Sequence, residues 1–83
     1  MTTVRDNPEK NRYEIHDGDQ LAGFTDYELT DRVIAFTHTE VHPDFAGRGL
    51  ARELVSAELD DARRRDLAVR PFCPYVLKVI AGA

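Results

Sequence analysis

The chain has 83 residues, 42% of them hydrophobic and 31% charged, with a formal net charge of −4 and one cysteine. That is one small domain of ordinary globular composition, and its acidic balance gives no electrostatic footing for nucleic acid as the main partner. A single cysteine excludes an internal disulfide, and no apolar run reaches the length of a membrane span or a signal peptide core; the expectation is one domain over residues 1–83, cytoplasmic, with no membrane partner.

In chain order, residues 4–6 read as a short first strand and residues 7–11 as a turn around Pro8. Residues 12–16 alternate, with Tyr13 and Ile15 on one face and Arg12, Glu14 and His16 on the other. Asp17-Gly18-Asp19 is a hairpin turn, and residues 21–29 resume a strand in which Gly23 marks a bulge or a close backbone approach. Residues 32–41 form the longest and most apolar strand, with Val33, Ile34, Ala35 and Phe36 in succession. A helix over residues 49–66 spreads Leu50, Ala51, Leu54, Val55, Leu59 and Ala62 over half its circumference, and Glu58 falls inside that apolar arc. Asp60–Arg64 and Asp61–Arg65 are spaced as i,i+4 ion pairs. Residues 67–70 make a last strand and residues 75–81 a short terminal helix. The order ββββαβα predicts an α+β layer of helices on a mostly antiparallel sheet.

Between the longest strand and the first helix lies Pro43-Asp44-Phe45-Ala46-Gly47-Arg48-Gly49. A strand, a glycine turn and a helix start leave several backbone N–H groups aimed at one spot, at the positive end of a helix dipole, which is a seat for an anion such as phosphate. It is not a dinucleotide fingerprint, because position 52 is Arg where the third glycine would stand, and no Gly-Lys-Ser/Thr follows as in a P-loop. Arg48 and Arg52, beside the loop, are the side chains best placed to meet a phosphate. Residues 63–65 are all arginine but are interleaved with Asp60, Asp61 and Asp66, which makes a solvated helix face their plainer reading.

The stretch Ala46-Gly47-Arg48-Gly49-Leu50-Ala51 resembles the acyl-CoA-binding motif of the GNAT N-acetyltransferase superfamily, Gln/Arg-x-x-Gly-x-Gly/Ala. More closely, the chain is similar to a family of minimal, single-domain GNAT-like proteins that carry His-Thr-Glu-Val on the strand before the loop and Cys-Pro-Tyr/Phe-Val after the last strand. Here these read His38-Thr39-Glu40-Val41 and Cys73-Pro74-Tyr75-Val76. The resemblance implies a GNAT-like fold shortened at its C-terminal end and acetyl-CoA as cofactor. Backbone amides from Phe45 through Ala46, Gly47, Arg48, Gly49 and Leu50 to Ala51 would cradle the pyrophosphate, and the strand end at Val41 would hold the thioester. Tyr75 would contact the CoA arm, although as one of three tyrosines it reads equally well as core. The chain departs from the motif at Ala46, where Gln or Arg is expected, a loss that touches a side chain rather than the backbone cradle.

Cys73, immediately before Pro74 at a helix start, sits where a helix dipole favours a thiolate, whereas a free cysteine is otherwise a small buried hydrophobe. The resemblance makes it a suspected acyl acceptor. His38, Glu40 and His42 share a strand face by alternation; Glu40 is the candidate general base, with His38 or His42 second, and the plain alternative is a polar edge. Zinc is not expected, since no fourth ligand is in register. The function implied is transfer of an acetyl group from acetyl-CoA to an unidentified amine, through or beside Cys73. A non-catalytic acyl-CoA-binding module and a thiol-reactive protein remain the alternatives.

Overall fold

The computed structural model describes residues 1–82. Its sheet runs in the order β1 (Thr2–Asn7), β2 (Arg12–Asp17), β3 (Gln20–Thr30), β4 (Val33–Val41) and β5 (Ala68–Pro71), with helices α1 (Leu50–Arg64) and α2 (Pro74–Gly82). The first four strands form an antiparallel meander, and β5 returns parallel to β4 after the α1 crossover. The ββββαβα order and the α+β class expected from the periodicities are therefore observed. The parallel β4–β5 pair was not expected in particular, and it matters most for the site.

The turns follow from residues that tolerate left-handed backbone. Asn11, Asp31 and Gly18 have φ of 52°, 53° and 61° at the three hairpin connections, so the chain reverses there at low steric cost. Two bulges then reset the alternation of the strands. In β3, Ile15 pairs with Gly23 but His16 pairs with Leu21, which leaves Ala22 as the extra residue. In β4, Asp26 pairs with His38 but Tyr27 pairs with Phe36, leaving Thr37 over. Beyond that second bulge Thr39 and Phe36, three residues apart, are both buried, while Thr37 and His38 are both exposed.

The core lies between one face of the sheet and the helices. Tyr13, Ile15, Ala22, Tyr27, Ile34 and Phe36 from the strands meet Leu50, Leu54, Val55, Leu59 and Ala62 from α1, with Cys73 and Val76 from the start of α2. Fully burying one such aliphatic side chain is worth about 1.5–3 kcal/mol, so the apolar stripe of α1 is the main anchor of the layer. At the far end of α1, a polar cluster ties the helix to the meander. Tyr13 donates to Asp61, Tyr27 donates to Asp6 at 2.6 Å, and Arg65 reaches Asp61 at 3.3 Å and Asp6 at 3.5 Å. Of the two expected helix ion pairs, Asp61–Arg65 forms. Asp60 instead takes Arg63 at 3.4 Å, because Arg64 reaches Asp61 at 2.9 Å.

The opposite face of the sheet carries no helix and is polar. Arg12, Glu14 and His16 form a row along β2, in which Glu14 accepts from Arg12 at 2.7 Å and from Asn7 at 3.1 Å, and His16 lies 2.9 Å away. Burial raises the Glu14 carboxyl, but the bonds from His16, Arg12 and Asn7 outweigh it and hold the pKa at about 2. No helix among the described residues is long and apolar enough to cross a membrane.

Candidate functional site

β4 and β5 pair only from Val33–Ala68 to Phe36–Pro71, after which the two strands part. The rest of β4, residues 37–41, keeps its β3 partner but has no strand on the other edge among the described residues. His42 donates its N–H to Ala22 on the β3 side, so the alternate N–H of Val41 faces the edge that β5 has left. The opening is held on one side by β4 and on the other by the segment leading into α2.

The glycine loop closes one end of this opening. Pro43–Phe45 is a single 3-10 turn capped by His42, whose ring Nδ1 accepts from the Asp44 N–H at 3.2 Å. Phe45 and Ala46 donate back to His42 and Pro43 at 2.9 and 3.1 Å, so their N–H groups are used inside the turn. Gly47 and Gly49 then take φ of 81° and 73°, in the left-handed region where a side chain is strained, and open space surrounds both. Gly49 is the N-cap of α1 and caps with no side chain; its carbonyl accepts from Glu53 at 3.1 Å. The N–H groups of Leu50, Ala51 and Arg52 have no helical acceptor by construction, and the helix dipole adds positive potential at the same spot.

Loop, strand end and α2 together enclose a groove of about 210 Å³ lined by Val41, Phe45, Ala46, Gly47, Gly49, Leu50, Ala51 and Tyr75. Eight of the residues singled out in the sequence as cofactor contacts are thus brought to one place. Tyr75, half exposed, reaches it rather than the core. Arg48 is turned away: its guanidinium pairs with Asp17 at 3.0 Å and lies over the Phe45 ring at 5.4 Å from the centroid. Arg52 is exposed on the first turn of α1, and no ion pair holds it among the described residues. A broader depression of about 580 Å³ lies on α1 beside Ala57, Asp60, Arg63 and Arg64, and it is a solvated helix face crossed by local ion pairs.

The catalytic candidates divide between the two faces of β4. Cys73 is buried, its carbonyl accepts from Leu77 at 3.1 Å as an N-cap does, and its thiol donates to the Thr39 hydroxyl at 3.1 Å. Glu40 and His38 lie on the exposed face, their side chains 3.4 Å apart, and His38 stands beside Phe24. The bulge at Thr37 is the cause: it turns Thr39 inward and leaves His38 and Glu40 outside. Cys73 therefore lies on the core side of β4, behind the groove and not in its lining, while Glu40 and His38 lie on the other side of the strand. His42, the second candidate base, caps the 3-10 turn.

One polar group inside the core has no charged partner. Glu58 is fully buried on α1, and neither carboxyl oxygen has a hydrogen-bond partner among the described residues. Burial pushes its pKa up to about 8, against a smaller lowering by the Thr25 hydroxyl that faces it. Thr25 lies opposite Thr39 in the β3–β4 register, and their hydroxyls are 3.0 Å apart. Glu58 was visible in the sequence as the one polar residue of an apolar arc, but Thr25 and Thr39 carried no mark there.

A shallow sheet-and-helix layer whose parallel strand pair opens beside a glycine-shaped helix start belongs to the acetyltransferase-like class. The chain belongs to the GCN5-related N-acetyl-transferase family, whose model matches residues 12–82. It is similar to Protein NATD1 from Bos taurus and from Homo sapiens, each 37% identical over 49 residues, 59% of this chain and 43% of the relative. The matched stretch thus spans less than half the length of those relatives. The fold is also similar to the NMR structure of a GCN5-like protein from Staphylococcus aureus, with a TM-score of 0.68 at 21% identity, over 96% of this chain and 78% of that one.

Proposed function

We propose that this chain binds acetyl-CoA in the groove between the glycine loop and the parted β4–β5 edge, and transfers the acetyl group to an amine. The observation that carries the reading is the groove itself. The N–H groups of Leu50, Ala51 and Arg52 have no helical acceptor at the start of α1, and the Val41 edge lines the same opening. The pyrophosphate sits at the loop, with Arg52 as a mobile counter-charge. The acetyl thioester lies along β4, where the Val41 N–H can bond its carbonyl oxygen as negative charge develops there. In the transfer, the acceptor attacks the carbonyl carbon, the carbon–sulfur bond to CoA breaks, and CoA leaves as its thiol.

Two routes fit that reading. In one the amine attacks directly, and Glu40, 3.4 Å from His38, takes its proton. In the other the acetyl group passes through Cys73 as a thioester. The sidedness of β4 favours the second, since the thiol lies on the groove's side of the sheet and the Glu40 carboxyl on the other.

Calorimetry of the full chain with acetyl-CoA tests the reading. Submillimolar binding is expected, and Gly47→Asp should weaken it roughly tenfold or more, the effect of about 1.4 kcal/mol of repulsion at the pyrophosphate. Aspartate tolerates left-handed backbone better than most residues, so the loss reports charge rather than misfolding. Absence of binding by the unaltered chain overturns the reading.

A further inference from the structure

The catalytic reading leaves one buried carboxyl unused, and a hydrogen-bonded path from the cysteine stops one link short of it. The Cys73 thiol donates to Thr39 at 3.1 Å, the Thr39 and Thr25 hydroxyls are 3.0 Å apart, and Thr25 faces the Glu58 carboxyl across the core. All four side chains are buried, with Glu58 and Thr25 fully so. A buried carboxyl without a partner is a costly feature in a small core, and an apolar side chain would fill the site on α1 without that penalty. Its orientation towards the end of a two-hydroxyl chain supplies a use for it.

We propose that Glu58, Thr25, Thr39 and Cys73 form an internal proton relay, in which Glu58 receives the thiol proton as Cys73 takes the acetyl group from acetyl-CoA. The inference rests on the acetyl-CoA reading and on its route through Cys73. Each hydroxyl is a donor and an acceptor, so the chain can pass a proton in one sense: sulfur to Thr39, Thr39 to Thr25, Thr25 to the carboxylate. The link from Thr25 to Glu58 is open at rest and closes by a change of Glu58 rotamer. The thiolate then attacks the thioester carbonyl; the new carbon–sulfur bond forms at Cys73, the bond to CoA breaks, and the departing CoA thiolate takes a proton from water. When the amine attacks acetyl-Cys73, the carbon–sulfur bond at Cys73 breaks. Glu58 returns its proton to the sulfur by the same path, and the amine's surplus proton goes to water. Atoms, charge and protons balance over the two steps.

Val41 and Tyr75, which line the groove, follow Thr39 and Cys73 by two residues on the same two segments, so the buried thiol lies behind the groove wall at its acetyl end and meets the thioester only when that wall opens. Burial holds the proton on Glu58 up to about pH 8, so the carboxylate that accepts the thiol proton forms only as pH rises towards that value. The other ionisable groups turned towards α1 are Asp6 from β1, Tyr13 from β2 and Tyr27 from β3. All three are engaged in the Asp61–Arg65 cluster further along the helix. β4 presents Phe36 and Thr39, β5 presents Val69, and α2 begins with Cys73 and Val76, so Thr25 is the polar group left to meet Glu58.

Intact mass spectrometry of the full chain incubated with acetyl-CoA between pH 6 and 9, with calorimetry of acetyl-CoA on the same samples, tests the relay. The unaltered chain should gain one hydroxylamine-labile acetyl group at Cys73, at a rate that rises with pH towards about 8. Glu58→Gln should bind acetyl-CoA as before, acylate roughly 100-fold more slowly and lose that pH limb. Thr39→Val should behave like Glu58→Gln, and Thr39→Ser should restore the rate, which a purely structural role for the hydroxyl would not require. Acylation of Glu58→Gln and Thr39→Val at the unaltered rate overturns the relay. So does acetyl-CoA binding with no acetyl group ever found on Cys73, which leaves the cofactor reading standing. Failure to bind acetyl-CoA removes the relay and the cofactor reading together.

Discussion

A carboxyl inside a small core with no cation beside it stays neutral, because ionising it there costs more than holding its proton. For Glu58 the direction of the effect on stability follows from its value of about 8 when folded against the ordinary 4.5. The folded state holds the proton over that interval and the unfolded state does not, so stability falls as pH rises from about 4.5 to about 8 and levels off above. At about 1.4 kcal/mol per unit, the penalty at high pH is on the order of 3–5 kcal/mol. Urea unfolding at pH 8.5 should therefore find Glu58→Gln more stable than the unaltered chain by several kcal/mol, with the gain shrinking towards pH 5. Equal stability of the two at pH 8.5 would mean that Glu58 is solvated or paired. Gly47 and Gly49 are the other residues whose chemistry is local. Gly49→Ala meets no atom within 4 Å but must hold φ near 73°, which costs about 1 kcal/mol of strain at the helix start and should show as a lower urea midpoint.

Among the elements, β4 decides the site. Its bulge after Phe36 sends Phe36 and Thr39 to the same face, so one strand serves both the apolar core and the relay. Had the alternation continued unbroken from Phe36, His38 and Glu40 would face α1. Gly23 keeps β3 close enough for this register. A Cβ there would lie 2.7 Å from the Glu40 carbonyl oxygen and 3.2 Å from the Val41 Cα, both backbone atoms that cannot rotate away. Gly23→Ala should cost about 1–3 kcal/mol in chemical unfolding and weaken acetyl-CoA binding through the displaced Val41 edge. Retention of both properties would show that the β3–β4 spacing has slack. In α1, Leu54→Ala should cost about 2–5 kcal/mol, since Leu54 is fully buried in the stripe that holds the helix to the sheet.

For the molecule as a whole, the titrating groups oppose one another with pH. Glu14, held at about 2 against an ordinary 4.5, contributes stability that is complete above about 4.5 and is lost as pH falls through about 2. Asp61 acts in the same sense: burial raises it, but bonds from Tyr13 and Arg65 bring it below its ordinary value. Glu58 acts in the opposite sense between about 4.5 and 8. Stability measured by urea unfolding should therefore peak near pH 5, with an acid limb that Glu14→Gln flattens and an alkaline limb that Glu58→Gln removes. A flat profile from pH 5 to pH 8 would contradict the burial of Glu58. The polar outer face of the sheet is part of the same arrangement, because its ion pairs satisfy a surface that no helix covers.

Much of this protein is determined locally. The glycines, asparagine and aspartates at the turns, the alternation of Tyr13 and Ile15, and the helical spacing from Leu50 to Ala62 each act within a few residues, and local forces of that kind can be read along a chain. The anion-seat character of the glycine loop is equally local, since strand, left-handed glycines and helix start are consecutive. The sidedness of the site was not legible. A one-residue bulge leaves no composition signature, yet it exchanges every side chain between the faces of β4, and it moved Glu40 and His38 away from Cys73. The pairing of Thr25 with Thr39, and of Thr39 with Cys73, joins residues 14 and 34 positions apart. Register and packing make such contacts, and only the tertiary structure joins two unmarked threonines to Cys73 and sets the apolar-arc glutamate at the end of that path.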